Sequence, residues 1–140
     1  MPYAQTRFRE TWGQISPDGH WMAYSSDQPG TTEVIVESIP KGNGRQQIST
    51  DGAGASFPVW RHDGTELFFT QQGKLMVSKI KLTRTGVTSD KPETLFTMEG
   101  ISRFQVSRDG QRFLVALPVE GSTEGPLLTV KTDWRAALKR

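Results

Sequence analysis

The sequence predicts an all-β chain of stacked, four-stranded antiparallel sheets. Three observations carry that expectation. One short phrase is written three times, as Ile15-Ser16-Pro17-Asp18-Gly19, Trp60-Arg61-His62-Asp63-Gly64 and Val106-Ser107-Arg108-Asp109-Gly110. Asp18, Asp63 and Asp109 stand 45 and 46 residues apart, a period that belongs to arrays of repeated sheets rather than to one ordinary core. After each phrase comes a short apolar run, and between the runs lie clusters of turn-forming residues.

In chain order, the first element is an outer strand over 3–9, in which Gln5-Thr6-Arg7-Phe8-Arg9 has the polar-then-apolar form of later outer strands. Short inner strands precede the three turns, at Gly13–Ser16, Pro58–Arg61 and Phe104–Ser107. Asp-Gly is a strong hairpin signal, because Gly tolerates positive φ and Asp can bond its own backbone across the turn. The second strands follow at 20–25, 65–70 and 111–116. Laid over one another, Met22, Leu67 and Phe113 form one column, and Tyr24, Phe69 and Val115 form a second, two residues on. Side chains two apart share a face of a strand, so both columns are expected to look into a core between sheets. The intervening column, Ala23, Phe68 and Leu114, is apolar as well, which predicts burial on both faces.

Third strands are expected at 33–37, 74–78 and 127–131, and fourth strands at 45–49 and 93–97. The stretches 83–92 and 118–126 are longer and polar, and are expected to be loops. A short helical tail is expected over Trp134–Lys139, with Asp133 as N-cap. One outer strand, two complete four-stranded units and a unit without its outer strand make twelve strands, enough for three units of four. The repeats run over about 11–50, 51–97 and 98–132 of a single domain, 1–140, and the strand at 3–9 completes another unit.

Composition narrows the function classes. A chain of 140 residues is about one domain long. Its 17 basic and 15 acidic residues are scattered, unlike the dense basic stripe of a nucleic-acid binder, so no nucleic-acid partner is expected. No run reaches the ~18 apolar residues of a membrane helix, so no membrane insertion is expected. The first ten residues lack an apolar stretch of signal-peptide length, and an export signal, if there is one, is expected upstream. The absence of cysteine rules out disulfides and thiolate metal sites.

The phrases Ser16-Pro17-Asp18-Gly19-His20-Trp21-Met22-Ala23-Tyr24 and Ser107-Arg108-Asp109-Gly110-Gln111-Arg112-Phe113-Leu114-Val115 resemble the repeat of TolB-type β-propellers. There a Ser-Pro-Asp-Gly turn is followed by a basic or polar residue and an apolar strand. The closing stretch Leu127–Trp134 is similar to the end of long bacterial proteins that carry such propellers, some fused to a serine/threonine kinase domain. The resemblance runs from about Gln5 to the end, and the second copy departs from it with Arg61-His62 in place of Ser-Pro. It implies propeller blades of four strands, three per chain, or half of a six-bladed ring. It also implies a bacterial, extracytoplasmic or periplasmic setting. Two copies closing one ring would remove the open sheet edges, so a homodimer is expected.

Candidate residues divide into turn and site. Asp18-Gly19, Asp63-Gly64 and Asp109-Gly110 are expected to be structural turns, not catalytic carboxylates. No catalytic residue is expected, since the hydrolase Gly-x-Ser-x-Gly elbow is missing and Arg61 interrupts the serine series. His20 and His62, the only histidines, lack metal-ligand spacing and are expected at the rim, so no metal and no cofactor are expected. The glycine-rich Asp51–Ala55 stretch precedes no helix and is expected to link two blades. Trp60 is expected in the core between blades, whereas Trp12 and Trp21 are open to either core or ligand roles. Trp12, Arg61 and His62 are the candidate binding residues at the exposed mouth. The function expected is a non-enzymatic binding module for a protein or peptide partner. The alternatives are an accessory propeller of a larger enzyme, a prolyl-oligopeptidase-like peptidase or a kinase, and a carbohydrate-binding propeller.

Overall fold

A computed structural model describes residues 9–42, 44–50, 52, 54–101, 103–117 and 127–132, with only the backbone of 117 and 127–132. The described residues form strands and turns and contain no helix. The expected tail helix lies outside them. Of the strand expected over 3–9, only Arg9 is described; its amide donates to Asp27 Oδ1 at 2.8 Å.

Among the described residues, twelve strands form three antiparallel sheets in chain order. The first sheet holds β1 (Glu10–Ile15), β2 (Trp21–Ser26), β3 (Glu33–Ser38) and β4 (Arg45–Gln47), paired in sequence. The second holds β5 (Ala55–Trp60), β6 (Glu66–Gln71), β7 (Lys74–Leu82), β8 (Val87–Ser89) and β9 (Glu93–Thr97). The third holds β10 (Arg103–Val106), β11 (Arg112–Leu117) and β12 (Leu127–Thr132).

The second sheet differs from the expected four strands. Residues 83–92 are not all loop: β7 runs on to Leu82, and its far half pairs with β8 while its near half pairs with β9. The cause is visible in Lys79-Ile80-Lys81-Leu82, which alternates charged and apolar side chains as a half-buried strand does. Ile80 and Val87 are buried in the core against the first sheet. Gln46 Nε2 donates to Ser89 Oγ at 3.0 Å, so the extra hairpin also bonds to β4.

Two apolar layers hold the sheets together. Between the first and second lie Trp21, Ala23, Val34 and Val36 on one side and Trp60, Leu67 and Phe69 on the other. Trp60 is thus core, and its Nε1–H donates to the Gln14 carbonyl at 3.0 Å. Between the second and third sheets lie Phe68, Leu75, Val77, Phe104, Phe113 and Val115. Phe113 meets the edges of Phe68 and Phe96, with centroids 5.1 and 5.8 Å away.

The apolar columns sort by direction. Leu67 and Phe113 face back toward the preceding sheet, and Ala23 and Phe68 face forward toward the next. By the same register Met22 and Tyr24 face away from the second sheet, where Tyr24 is buried and donates to Glu37 Oε2 at 2.9 Å. Burial pushes the Tyr24 hydroxyl up to about 12. The expectation of two-sided burial fails at Leu114. It is 37% exposed, because it points forward from the third sheet and no described sheet covers that face.

The three phrases close their hairpins alike. Gly19 N–H donates to the Ser16 carbonyl at 2.9 Å, and Gly64 and Gly110 bond to Arg61 and Ser107 at the same distance. Asp and Gly therefore occupy the last two positions of a β-turn, and Gly19, Gly64 and Gly110 take φ of +80°, +75° and +70°. The Asp carboxylate then accepts the amide two residues on: His20 at 3.0 Å, Thr65 at 3.0 Å and Gln111 at 2.9 Å. Ser16 and Ser107 hydroxyls donate to the same carboxylates and accept the amides of Trp21 and Arg112. In the second copy, where Arg61 replaces Ser, the Thr65 hydroxyl donates to Asp63 instead, at 2.6 Å.

These bonds favour the ionised carboxyl, and all three lie below the ordinary Asp value. At Asp18 burial acts upward and is outweighed by the Ser16 hydroxyl and the His20 amide. The Thr65 hydroxyl leads at Asp63 and the Ser107 hydroxyl at Asp109. A carboxyl with a depressed folded pKa stabilises the fold above its unfolded value, about 4, and that contribution disappears as pH falls through the folded value. The thermal midpoint is therefore expected to drop on acidification below about pH 4. Replacing all three carboxyls (Asp18→Asn, Asp63→Asn, Asp109→Asn) is expected to flatten that limb; an unchanged slope would refute the assignment. In the second layer, Phe68→Ala removes a fully buried ring and is expected to cost about 3–5 kcal/mol in denaturant unfolding.

Candidate functional site

The inner strands β1 and β5 each carry a bulge. Pairing with β2 breaks between Thr11 and Gln14, and pairing with β6 breaks between Ser56 and Val59. At the bulges Trp12 and Phe57 take φ of +60° and +58°. A left-handed backbone is sterically unfavourable for residues with bulky side chains, at about 1–2 kcal/mol each. Trp12 and Phe57 stand at the same place in their repeats, six residues before Asp18 and Asp63, and Arg103 stands six before Asp109.

The structure brings these three equivalent residues together. Trp12 and Phe57 stack with ring centroids 4.0 Å apart and planes 30° apart. The Arg103 guanidinium carbon lies 5.6 Å from the Trp12 ring centre, within the range of a cation–π contact. Trp12 is 44% exposed, the reverse of a core indole. The group lines a cavity of about 570 Å³, with Pro58, Val59 and Leu114 adding apolar wall and Gln14 and Gln105 adding amides. That volume suits a short peptide segment or a small ligand.

Arg61 and His62 lie elsewhere. They sit at the turn after β5 and do not line this cavity. The Arg61 guanidinium donates to Glu66 Oε1 at 2.7 Å and lies 3.5 Å from Asp63. It also reaches the third turn, where a Cβ on Gly110 would meet Arg61 Nε at 3.1 Å. Arg61 thus braces its own turn and lies against the third, and His62 beside it is exposed. Trp21 is core, at 2% exposure. His20 lines a second cavity, about 640 Å³, with Asp18 and Arg84, between the first turn and the β7–β8 hairpin. It is the larger of the two, so size does not choose between them. The first joins exposed aromatic surface to a cation and to strained backbone, while among the described residues of the second the only large aromatic is the buried Trp21, beside the His20 imidazole. Among the described residues no three His, Cys, Asp or Glu side chains converge as metal ligands would.

Sequence reasoning singled out Trp12 but missed Phe57 and Arg103. Counting back from each Asp-Gly was the available signal, but Trp, Phe and Arg share no chemistry that would mark a column.

No family model matches the chain, and no curated protein matches it. Solved structures do match, among them the crystal structure of TolB from Acinetobacter baumannii, with a TM-score of 0.59 and 18% identity. The match covers 87% of this chain and 29% of that one. The chain has a TolB-like β-propeller fold. Its three sheets are propeller blades, and β1, β5 and β10 are their first strands.

The strain at Trp12 can be tested by substitution. Trp12→Ala keeps the left-handed cost and loses the stack, whereas Trp12→Gly loses the stack and relieves the cost. The glycine variant is expected to be the more stable of the two by about 1 kcal/mol in denaturant unfolding. The opposite order would show that the backbone at residue 12 is not strained.

Proposed function

We propose that this chain is a non-enzymatic binding module that takes a protein or peptide partner in the cavity of Trp12, Phe57 and Arg103. One observation supports the reading above the rest. Two large aromatics are held in unfavourable left-handed conformations at the same repeat position, and one of them faces solvent. Backbone strain at repeated positions persists where a site needs its side chains aimed in one direction. Aromatic and Arg side chains are also the groups that contribute most to protein–protein contacts. His62 is proposed as a rim contact, and Arg61 as its support.

The homodimeric ring belongs to the same proposal. The forward face of the third blade, marked by Leu114, is where a neighbouring blade would stack, and a second copy supplies one with the right repeat geometry. The bacterial, extracytoplasmic setting rests on the sequence resemblance to TolB-type repeats. The alternative of an accessory propeller in a larger enzyme accords with the match to only 29% of the TolB chain. A carbohydrate-binding role draws support from the aromatic lining, but Trp12 already stacks on Phe57.

The test uses one purified preparation. An array of random short peptides is expected to yield a bound subset that is lost in Trp12→Gly and Phe57→Gly while the circular dichroism spectrum is kept. No bound peptide, or binding indifferent to both substitutions, overturns the site. Light scattering on the same sample reads the ring: a two-chain mass supports it, and a stable one-chain mass overturns it.

A further inference from the structure

Resting on that reading, we infer that the ligand presents a carboxylate beside an apolar side chain, and that Arg103 receives the carboxylate. The inference comes from the charge balance of the cavity wall. Among the described residues that line it, Arg103 is the only charged one; the rest are apolar groups and the amides of Gln14 and Gln105. No acidic partner of Arg103 is found among the described residues, in contrast to Arg61, which is paired with Glu66 and Asp63.

An Arg beside an indole, without a carboxylate partner, is poised to bind one. A guanidinium near an aromatic ring is still able to direct its N–H fork at two oxygens at once. Nearby apolar wall from Phe57, Pro58 and Val59 excludes water on one side, which strengthens a charge-assisted bond. The same wall gives an adjoining aliphatic or aromatic side chain somewhere to be buried. An uncharged ligand would leave the guanidinium partly desolvated without a partner, at a cost in affinity.

Two sources supply this chemistry in a peptide: an Asp or Glu side chain, or the free C-terminal carboxylate. Four probes separate them. The first is a capped Gly-Leu-Glu-Leu-Gly peptide, the second its Gln counterpart, the third an uncapped Gly-Gly-Leu with a free C-terminus, and the fourth its amide. Binding is read from the Trp12 indole N–H resonance of the isotopically labelled chain and from titration calorimetry.

At least one carboxylate probe is expected to bind about tenfold or more tightly than its neutral counterpart, more weakly as salt is raised. Arg103→Gln is expected to abolish that difference, while Arg103→Lys keeps part of it, since charge remains and the fork is lost. Arg103 is exposed, so neither substitution should disturb folding. If Glu and Gln peptides, and acid and amide tripeptides, bind equally and move the Trp12 resonance, the carboxylate inference falls and the peptide-binding reading stands. If none of the four moves that resonance while other peptides from the array do, the inference falls as well. If no peptide of any kind moves it, both fall.

Discussion

A strand that alternates its side chains across a sheet can bury both faces only where something packs against each side. That constraint organises this molecule. β6, in the middle sheet, is buried at all six of its positions, with Leu67 and Phe69 facing back and Phe68 facing forward. Leu114 occupies the place of Phe68 in the following sheet and is partly exposed, because nothing described stands in front of it. The fate of each apolar residue follows from its repeat, its column and the neighbour on that side.

The turns and the columns were legible in the sequence because the chemistry at those places is nearly invariant. A β-turn that needs positive φ at one position takes Gly, and a carboxylate that must accept two backbone-proximal donors is supplied by Asp. The β7–β8 hairpin was harder to see. Its second strand has three residues, its first is interleaved with lysines, and Thr83 to Gly86 looks like an ordinary polar connection. Its role comes from tertiary contact with Trp21 and β4, which a local pattern does not encode. The site was legible at one residue in three. Trp12 stands out by size, while Phe57 and Arg103 are ordinary residues until the bulges and the repeat register place them against it.

The second turn shows how much of a repeat is replaceable. Where the others use a serine hydroxyl to join Asp to the following strand, this one uses Thr65 on the Asp and an Arg61–Glu66 pair alongside. Both arrangements keep the bond from the Gly amide to the carbonyl three residues back and the bond from the amide two residues on to the Asp carboxylate, so the hairpin keeps its shape. The exchange also puts Arg61 within reach of Gly110, giving that glycine a steric reason to lack a side chain in addition to its dihedral angle.

The two seams between blades are not fastened equally. The first is crossed by the Gln46–Ser89 bond and the Trp60–Gln14 bond as well as by apolar packing, whereas the second, among the described residues, is held by a layer of Phe, Leu and Val side chains. Fluctuations of the native chain would accordingly begin at the third blade, with β10 and β11 parting from β6 and β7 before the first two blades separate. Amide exchange along the described strands would then fall into two cooperative blocks, fast in β10 and β11 and slow in β1 to β7. Arg103, and with it one edge of the ligand cavity, would belong to the block that opens first.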